Sequence, residues 1–326
     1  MAHDTTASPM SAPIPPAEST VDVPPPSVKV ITAARRRRRF RWTVRGLAVA
    51  FLIGWFMVGF DGCFYYPTRE VYTTPREFGL SHEDVTFASS DGLKLSGWFI
   101  PATTPTARGT VIHFHGNAEN MTGHIAFSWW LPSHGYNLFT FDYRGYGKSE
   151  GRPTREGTVR DGRAALDYVL SRADVDHGKV FFFGQSLGGA VATVVAAERP
   201  EVRAVVLDSP FSTYRGIAAA HLGGTLLWHP LAAGIAAIGL STDYDPKDYI
   251  AQIAPRPILV IVSGQDRICF PQLGRELFGA AAEPKELWNI DNVGHTGALS
   301  ERFEEASRRI TEFMANAPAL PSAKNE

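Results

Sequence analysis

One serine lies where a buried strand is predicted to turn into a helix. The stretch VFFFGQSLGGAVATVVAAE covers residues 180–198, and Ser186 stands in it between Gly184 and Gly188. Gly-x-Ser-x-Gly at such a junction is typical of a strained turn that exposes a nucleophilic hydroxyl beside a helix N-terminus, whose amides stabilise negative charge. A structural serine in a tight glycine turn would leave the same pattern. Chemistry at Ser186 therefore requires partners elsewhere in the chain.

A base and an acid are the first partners to seek, because a serine hydroxyl is a weak nucleophile without a base. His295 lies in the segment NVGHTGAL, after the last predicted strand, and is the only histidine C-terminal to His229. It is the predicted base, and the alternative is a surface-loop histidine that binds nothing. Asp266 ends ILVIVSGQD and Asp208 lies in VVLDSP, so each follows a predicted strand. We predict that Asp266 orients the histidine and that Asp208 is a structural residue beside the site.

A third requirement is a pair of N–H donors for the oxyanion of a tetrahedral intermediate. The segment HFHGNAEN starts at His113, after an early strand, and Gly116 allows it to bend. We predict that the amides of Asn117 and Leu187 form the oxyanion hole. His115 is expected to bond backbone near the turn, and His113 to be a strand residue.

The elements that must position these residues follow from the apolar patterns after Val71. Apolar runs alternate with stretches of helical periodicity, which predicts an α/β fold with a mostly parallel sheet covered on both faces. Chemistry on such a sheet gathers at the carboxyl ends of the strands. The predicted strands are a hairpin at 85–101, then 109–116, 137–147, 179–184, 202–210, 256–266 and 285–291. The predicted helices are a stretch after 116, 154–172, the segment after Ser186, and the C-terminal ALSERFEEASRRITEFMAN.

Six segments together resemble the Bem46-like branch of the α/β-hydrolase superfamily. They are HFHGNAEN, FDYRGYGKSEG, FGQSLGGA, LDSPF, SGQDRICFP and VGHTG, and the similarity runs over about residues 71–313. The chain order Ser186, Asp266, His295 is the order of that fold. The resemblance implies an eight-stranded sheet, a serine nucleophile, ester or thioester cleavage, and no metal or cofactor. Where the family often has a small aliphatic residue, this chain has Cys269, which we expect to be a buried, inert thiol.

The N-terminal 66 residues differ from the rest of the chain. Residues 1–34 are rich in Pro, Ser, Thr and Ala without apolar periodicity, which predicts a disordered tail. The basic segment RRRRRFRWTVR follows, and residues 46–66 then carry a single charge, Asp61. At ~1.5 Å per residue this stretch matches the ~30 Å of a bilayer core. We therefore predict that residues 35–66 are a basic segment with a single transmembrane anchor.

The distribution of basic residues predicts the orientation of that anchor. Only Arg69 and Arg76 follow it closely, whereas Lys29 and seven arginines between 35 and 45 precede it. The positive-inside rule then puts the N-terminus in the cytoplasm and the hydrolase domain on the extracytoplasmic side, periplasmic or luminal. A twin-arginine export signal, a cleavable leader and lipidation of Cys63 remain alternatives.

The rest of the chain, residues 67–326, is predicted to form the hydrolase domain, with a small lid at about 211–249. The lid segment is longer than a simple crossover and rich in apolar residues. Four of its side chains either line an acyl pocket or complete the core around a crossover helix. They are Leu226, Leu227, Trp228 and Leu231.

Composition excludes several other functions. The formal charge of −1 gives no reason to expect a nucleic-acid partner, and the two cysteines form no CxxC or Cys/His metal motif. The sequence thus predicts a serine hydrolase that cleaves carboxylic ester or thioester bonds of a small-molecule or acyl substrate through an acyl-enzyme. A serine peptidase of the same fold and a non-catalytic, membrane-tethered binding protein are the alternatives, and the oligomeric state stays open.

Overall fold

The computed structural model describes residues 40–47, 49, 65–222 and 241–320. They belong to two units, of which the first contributes a helical segment at residues 40–47. Within these ranges no helix combines the length and the apolar character needed to cross a bilayer. Most of the predicted anchor, together with Cys63, lies outside the described residues, and so does the predicted tail at 1–34.

An eight-stranded, mostly parallel sheet forms the larger unit, which confirms the predicted fold class. The strands are β1 Glu83–Ala88, β2 Lys94–Ile100, β3 Gly109–Phe114, β4 Tyr136–Phe141, β5 Val180–Gln185, β6 Val202–Asp208, β7 Ile258–Ser263 and β8 Lys285–Ile290. Their order across the sheet is β8-β7-β6-β5-β3-β4-β2-β1. Only β2 runs against the other strands, because it pairs antiparallel with both β1 and β4.

Helices cover both faces of the sheet. The five longer ones are α1 Arg155–Ser171, α2 Leu187–Glu198, α3 Tyr214–Leu222, α4 Pro271–Ala280 and α5 Phe303–Asn316. Short helical turns lie at Pro75–Phe78, Met121–His124, Ile125–Phe127, Pro132–His134, His177–Lys179, Pro246–Tyr249, Ile250–Ile253 and Gly297–Glu301. Two further strands of two residues each, Tyr66–Pro67 and Ala118–Glu119, pair in parallel apart from the main sheet.

The central strands are continuous apolar runs because both of their faces are buried. In β5 the side chain of Phe182 joins one core, whereas its neighbours Phe181 and Phe183 join the other. The core of Phe182 includes residues of α1 and α2, and the second core includes Ile310 and Met314 of α5. This alternation is the two-residue period of a strand, and it produces a three-layer structure.

Two predicted helices differ from the observed ones. The stretch after residue 116 forms only short turns, and Pro132 begins the last of them. The C-terminal segment is two helices rather than one, because Arg302 has φ −128° and ψ 38°, outside the helical region. Phe303, the next residue, begins α5 and stacks on Trp129. Apolar periodicity did not reveal this break because both helices bury apolar residues.

The predicted site residues follow three of the parallel strands. Ser186 comes directly after β5, Asp266 is in the loop after β7, and His295 is in the loop after β8. Parallel strands end at the same edge of a sheet, so these loops lie on one side of the molecule.

Candidate active site

Ser186 occupies a strained turn between β5 and α2. Its backbone has φ 53° and ψ −117°, and its N–H donates to the carbonyl oxygen of Asp208 at 2.9 Å. A Cβ at Gly188 would overlap the carbonyl oxygen of Phe114, and one at Gly184 would lie 2.7 Å from the Gly188 oxygen. Both glycines are therefore required by close backbone approach. Ser209 and Thr296 also have positive φ, so three strained residues are found in the site loops.

His295 and Asp266 form a hydrogen-bonded pair. The Nδ1–H of His295 donates to Asp266 Oδ2 at 2.7 Å, and the amides of Ile268 and Cys269 each donate to Asp266 Oδ1 at 2.8 Å. The Asp266 carboxylate is buried and all of its near partners are donors. This arrangement fixes the tautomer of His295 in which Nδ1 carries the proton and Nε2 is free to accept one.

The Ser186 hydroxyl contacts a thiol in this conformation. Its Oγ lies 3.4 Å from Cys269 Sγ, and no hydrogen bond joins it to His295 within the described part of the chain. Ser186 and His295 nevertheless line the same cavity. Burial raises the pKa of the Cys269 thiol, so the group stays neutral, in keeping with the inert thiol expected from the sequence.

Asp208, the rival acid, lies beside the pair and does not contact His295. Its Oδ2 accepts from Gln185 Nε2 at 3.2 Å, and its Oδ1 accepts from the Ser209 hydroxyl at 3.1 Å. Ser209 Oγ in turn accepts the amide N–H of Thr296 at 3.0 Å. Burial raises the pKa of Asp208 to about 6. Through Ser209, Asp208 thus helps to hold the loop that carries His295.

The predicted oxyanion donors both belong to residues that line the cavity with Ser186. Leu187 is the first residue of α2, so its N–H has no partner within the helix. Asn117 lines the cavity too, and its backbone N–H donates no hydrogen bond to any residue that the structure describes. Tyr146 holds Asn117 in place, since its hydroxyl donates to the Asn117 carbonyl oxygen at 2.7 Å.

Three histidines support this region as neutral groups, and two of them, His113 and His115, are fully buried. His115 Nδ1 bonds the Gly116 carbonyl oxygen at 2.7 Å, and His113 in β3 bonds Gln185 Oε1 at 3.1 Å. Burial lowers the pKa of His113 to about 3 and that of His124 to about 4. His115 Nε2 approaches Asp142 Oδ1 at 3.7 Å, but burial also raises the pKa of Asp142 to about 7. Burial lowers the pKa of His115 well below 6.5, so its imidazole is neutral and this contact is not an ion pair.

Sequence reasoning missed three residues of the site. His124 lines the cavity and its Nε2 bonds the Ala118 carbonyl oxygen at 3.0 Å. Tyr66 lines the cavity as well, although its sequence position suggested an interfacial residue of the anchor. Tyr146 belongs to FDYRGYGKSEG, a segment used only for the family resemblance. That segment was the available signal, because a tyrosine in a motif that follows a strand end can reach the site.

The cavity has a volume of about 510 Å³ and a mostly apolar wall. Its described lining contains no Asp, Glu, Lys or Arg side chain. Apolar wall residues come from the loop before α3, from α3 itself and from the loop after β7. They are Phe211, Tyr214, Ile217, Ala218 and Ile268. The four predicted pocket residues, Leu226, Leu227, Trp228 and Leu231, lie outside the described residues.

Other binding sites are less suited to this chemistry. A second cavity of about 630 Å³ lies between β8 and α5 and contains none of the predicted site residues. In the described ranges no group of three or more His, Cys, Asp or Glu side chains could hold a metal ion.

Comparisons with known proteins agree with this architecture. The family model described as serine aminopeptidase, S33, matches residues 105–235. The protein YfhR of Escherichia coli O157:H7 is 37% identical over 260 residues, which cover 78% of this chain and 87% of YfhR. The α/β-hydrolase domain-containing protein WAV2 of Arabidopsis thaliana is 34% identical over 217 residues, covering 64% of this chain and 70% of WAV2. The chain belongs to the α/β-hydrolase superfamily.

The relatives also agree with the Bem46-like branch of the superfamily that the sequence indicates. Protein bem46 of Schizosaccharomyces pombe is 27% identical over 252 residues, which cover 74% of this hydrolase-fold chain and 82% of bem46. The solved structure of the Pyrococcus furiosus esterase Pf2001 superposes with a TM-score of 0.66 at 23% identity, covering 79% of this chain and 99% of the esterase. That structural likeness shows the fold alone. The Bem46-like assignment made from six sequence segments is confirmed.

Proposed function

We propose that this α/β-hydrolase is a serine hydrolase that cleaves carboxylic ester or thioester bonds through an acyl-enzyme. The observation that carries the proposal is one cavity that contains both Ser186, on a strained turn, and His295, hydrogen-bonded to the buried Asp266. Nothing in the fold itself requires these three residue types at three separate strand ends. Their arrangement matches what a nucleophile, a base and an orienting acid need.

The proposed reaction begins with a rotation of the Ser186 side chain. Its hydroxyl leaves Cys269 Sγ and turns to His295 Nε2, which accepts the proton while Oγ attacks the acyl carbon. The amides of Asn117 and Leu187 stabilise the oxyanion, and Asp266 stabilises the imidazolium. The imidazolium then protonates the leaving alcohol or thiol. Water, deprotonated by His295, releases the carboxylic acid and restores Ser186.

The cavity wall favours an uncharged acyl group over a peptide terminus. An aminopeptidase has to bind the α-ammonium group of its substrate, which is costly to desolvate without a charged or polar partner. The described lining offers three histidines but no carboxylate. The family model named for serine aminopeptidases nevertheless makes a peptidase the second candidate. A non-catalytic binding protein is disfavoured by the retention of all three reactive groups.

A fluorophosphonate probe on the full-length chain tests the enzyme proposal. We expect covalent labelling at Ser186, and we expect Ser186→Ala to abolish labelling and lower the ester hydrolysis rate by about 10⁶-fold. Ser300→Ala, which alters an exposed serine, is the matched control and should behave as wild type. Labelling of another serine, with Ser186 unmodified, would contradict the assignment.

A substrate panel then separates the two enzymatic candidates. Acyl p-nitrophenyl esters and acyl thioesters should be hydrolysed, whereas aminoacyl p-nitroanilides with a free amino group should be poor substrates. The reverse preference would make the peptidase the better description.

A further inference from the structure

Four large apolar side chains are exposed in the described part of the larger unit, and two of them line the cavity. They are Tyr66 at 64% exposure, Val71 at 62%, Tyr72 at 42% and Ile268 at 49%. Single exposed apolar residues are ordinary on protein surfaces, but a cluster next to a binding site marks an interaction surface. Tyr66 and Ile268 both line the cavity while remaining about half exposed or more, so they belong to its mouth.

Three of these four residues lie on one extended segment, residues 65–72, which we call the N-terminal strap. The strap is fixed along the loop that carries the predicted oxyanion donor Asn117. Its backbone pairs with Ala118–Glu119, and Asn117 Oδ1 accepts the Tyr66 amide at 3.3 Å. Several further hydrogen bonds attach it, and three of them reach residues that follow Asn117. They run from Thr68 N to Glu119 O at 3.1 Å, from Asn120 Nδ2 to Glu70 O at 2.7 Å, and from Tyr72 N to Thr122 Oγ1 at 3.0 Å.

Chain connectivity links the strap to the predicted anchor. The uncharged stretch 46–60 precedes Tyr65 by only four residues, and Tyr65 is buried in the unit. A chain that leaves a bilayer just before residue 65 therefore enters the larger unit beside the cavity mouth. Four residues span at most about 14 Å.

The charges next to the exposed apolar residues fit a lipid surface. Arg69 precedes Val71 by two positions and Arg267 directly precedes Ile268, and both arginines are exposed. Glu70 is exposed as well, so its charge offsets that of Arg69 and the charge that remains among these three residues is the positive one of Arg267. Neither arginine forms an ion pair with an acidic residue in the described ranges. Tyrosine side chains are typical of the membrane interface, where basic side chains meet lipid phosphates.

We propose that the surface formed by the N-terminal strap and Ile268, which includes the cavity mouth at Tyr66 and Ile268, rests on the bilayer, so that the site receives lipid acyl esters or thioesters directly from the membrane. Tyr66, Val71, Tyr72 and Ile268 insert at headgroup depth, and Arg69 and Arg267 face the phosphates. The substrate part of this inference rests on the proposed function, whereas the membrane contact does not.

Depth-dependent fluorescence quenching tests the membrane contact without requiring turnover. The full-length chain is reconstituted into phosphatidylcholine vesicles whose acyl chains carry a bromine or nitroxide quencher. In a Cys63→Ser background, a fluorophore is attached at Val71→Cys or at Ile268→Cys. The control is Asp176→Cys, which lies before β5, at the end of the strand opposite to Ser186 and about 20 Å away.

We expect quenching at positions 71 and 268 to exceed quenching at 176 at least fivefold. Equal quenching at the three positions, or none at 71 and 268, would overturn the proposal. The surface would then be a binding site for a protein partner or for a second copy of this chain. Failure of the protein to float with the vesicles would overturn it too.

A kinetic comparison tests the route of the substrate. Val71→Glu should reduce hydrolysis of a vesicle-embedded ester about tenfold, the loss that corresponds to one buried valine side chain. It should leave hydrolysis of a water-soluble p-nitrophenyl ester unchanged, since Val71 does not line the cavity. Ala315→Glu, which adds one negative charge at an exposed position of α5, is the matched charge control. Equal losses on both esters would contradict delivery from the membrane, whereas inactivity of the wild type on both would contradict only the proposed function.

Discussion

Replacing Asp266 with asparagine separates the role of this residue from that of Asp208. Asp266 Oδ1 accepts two amides, from Ile268 and Cys269, and Oδ2 accepts the His295 Nδ1–H. Asparagine has only one oxygen. That oxygen should stay with the two amides, because turning it away would leave two buried donors unpaired. The NH₂ group then faces His295 Nδ1, which has to become an acceptor, and the proton moves to Nε2.

The magnitude of the effect follows from this tautomer. A histidine protonated at Nε2 cannot accept the Ser186 proton, and the same change in a well-studied serine protease lowers kcat by about 10⁴-fold. We expect a loss of that order for Asp266→Asn, which corresponds to ~5.5 kcal/mol in the barrier. Stability should change by only about 1 kcal/mol, because the side chain keeps its size and its backbone hydrogen bonds.

Asp208→Asn is the matched control at the end of the neighbouring strand β6. Its partners are Gln185 and Ser209, and it makes no contact with His295, so the rate should fall less than about tenfold. The assay is p-nitrophenyl ester hydrolysis together with the rate of fluorophosphonate labelling, with circular dichroism and thermal unfolding as checks of folding. An inactive, folded Asp208→Asn variant beside an active Asp266→Asn variant would refute the reasoning and exchange the two roles.

Three further predictions concern the oxyanion loop, a buried acid and the anchor. Tyr146→Phe removes the hydroxyl that holds Asn117, so kcat should fall about tenfold at nearly unchanged KM, and an unchanged kcat would show that Asn117 is held otherwise. Burial raises the pKa of Asp142 to about 7. The carboxyl group of Asp142 then binds its proton more tightly in the folded state than in the unfolded state. Its contribution to the free energy of unfolding is therefore fully present below pH ~4 and is lost as the pH rises to ~7. The loss is at most about 4 kcal/mol. Urea unfolding should therefore show that Asp142→Asn gains stability relative to wild type between pH 4 and pH 8, and a constant difference would contradict the shift. For the anchor, the structure corrects the predicted end at residue 66, because Tyr65 is buried in the hydrolase unit and Tyr66 lines its cavity. We propose that a segment that begins at residue 46 and ends before residue 65 crosses the membrane once with the hydrolase domain outside the cytoplasm. A reporter active only outside the cytoplasm, fused after residue 326, should be active in protein that resists carbonate extraction, whereas an inactive reporter on extractable protein would contradict this topology.

The fold was predictable because its information is local. The apolar runs of β3 and β5 to β7 indicate strands buried on both faces, and the hairpin around Asp91-Gly92 indicates antiparallel pairing. The bond between Asp266 and His295 was also within reach, since both residues follow strands whose carboxyl ends share one edge. Chain order and strand position favoured Asp266 over Asp208 as the orienting acid, and that choice of roles stays a prediction.

Contacts between loops were not predictable in the same way. Ser186 Oγ meets Cys269 Sγ across 83 positions of sequence, and Tyr66 meets Asn117 across 51. Neither contact leaves a periodic pattern, because loop residues pair through the geometry of the assembled sheet rather than through a repeat. The break at Arg302 escaped for a related reason, since helical periodicity reports which residues are buried but not where the backbone changes direction.

The N-terminal strap shows how far such a contact can alter a functional interpretation. From the sequence, residues 65 and 66 end the predicted anchor and residues from 67 onward begin the hydrolase domain, and none of residues 65–72 is a predicted site residue. In the structure Tyr66 of this segment lines the cavity, and its amide N–H donates to Asn117 Oδ1 at 3.3 Å. A displacement of the predicted anchor would therefore act on the proposed oxyanion donor through this hydrogen bond. Tyr66, at the point where the hydrolase domain meets its predicted anchor, is thus part of the wall of the proposed active site.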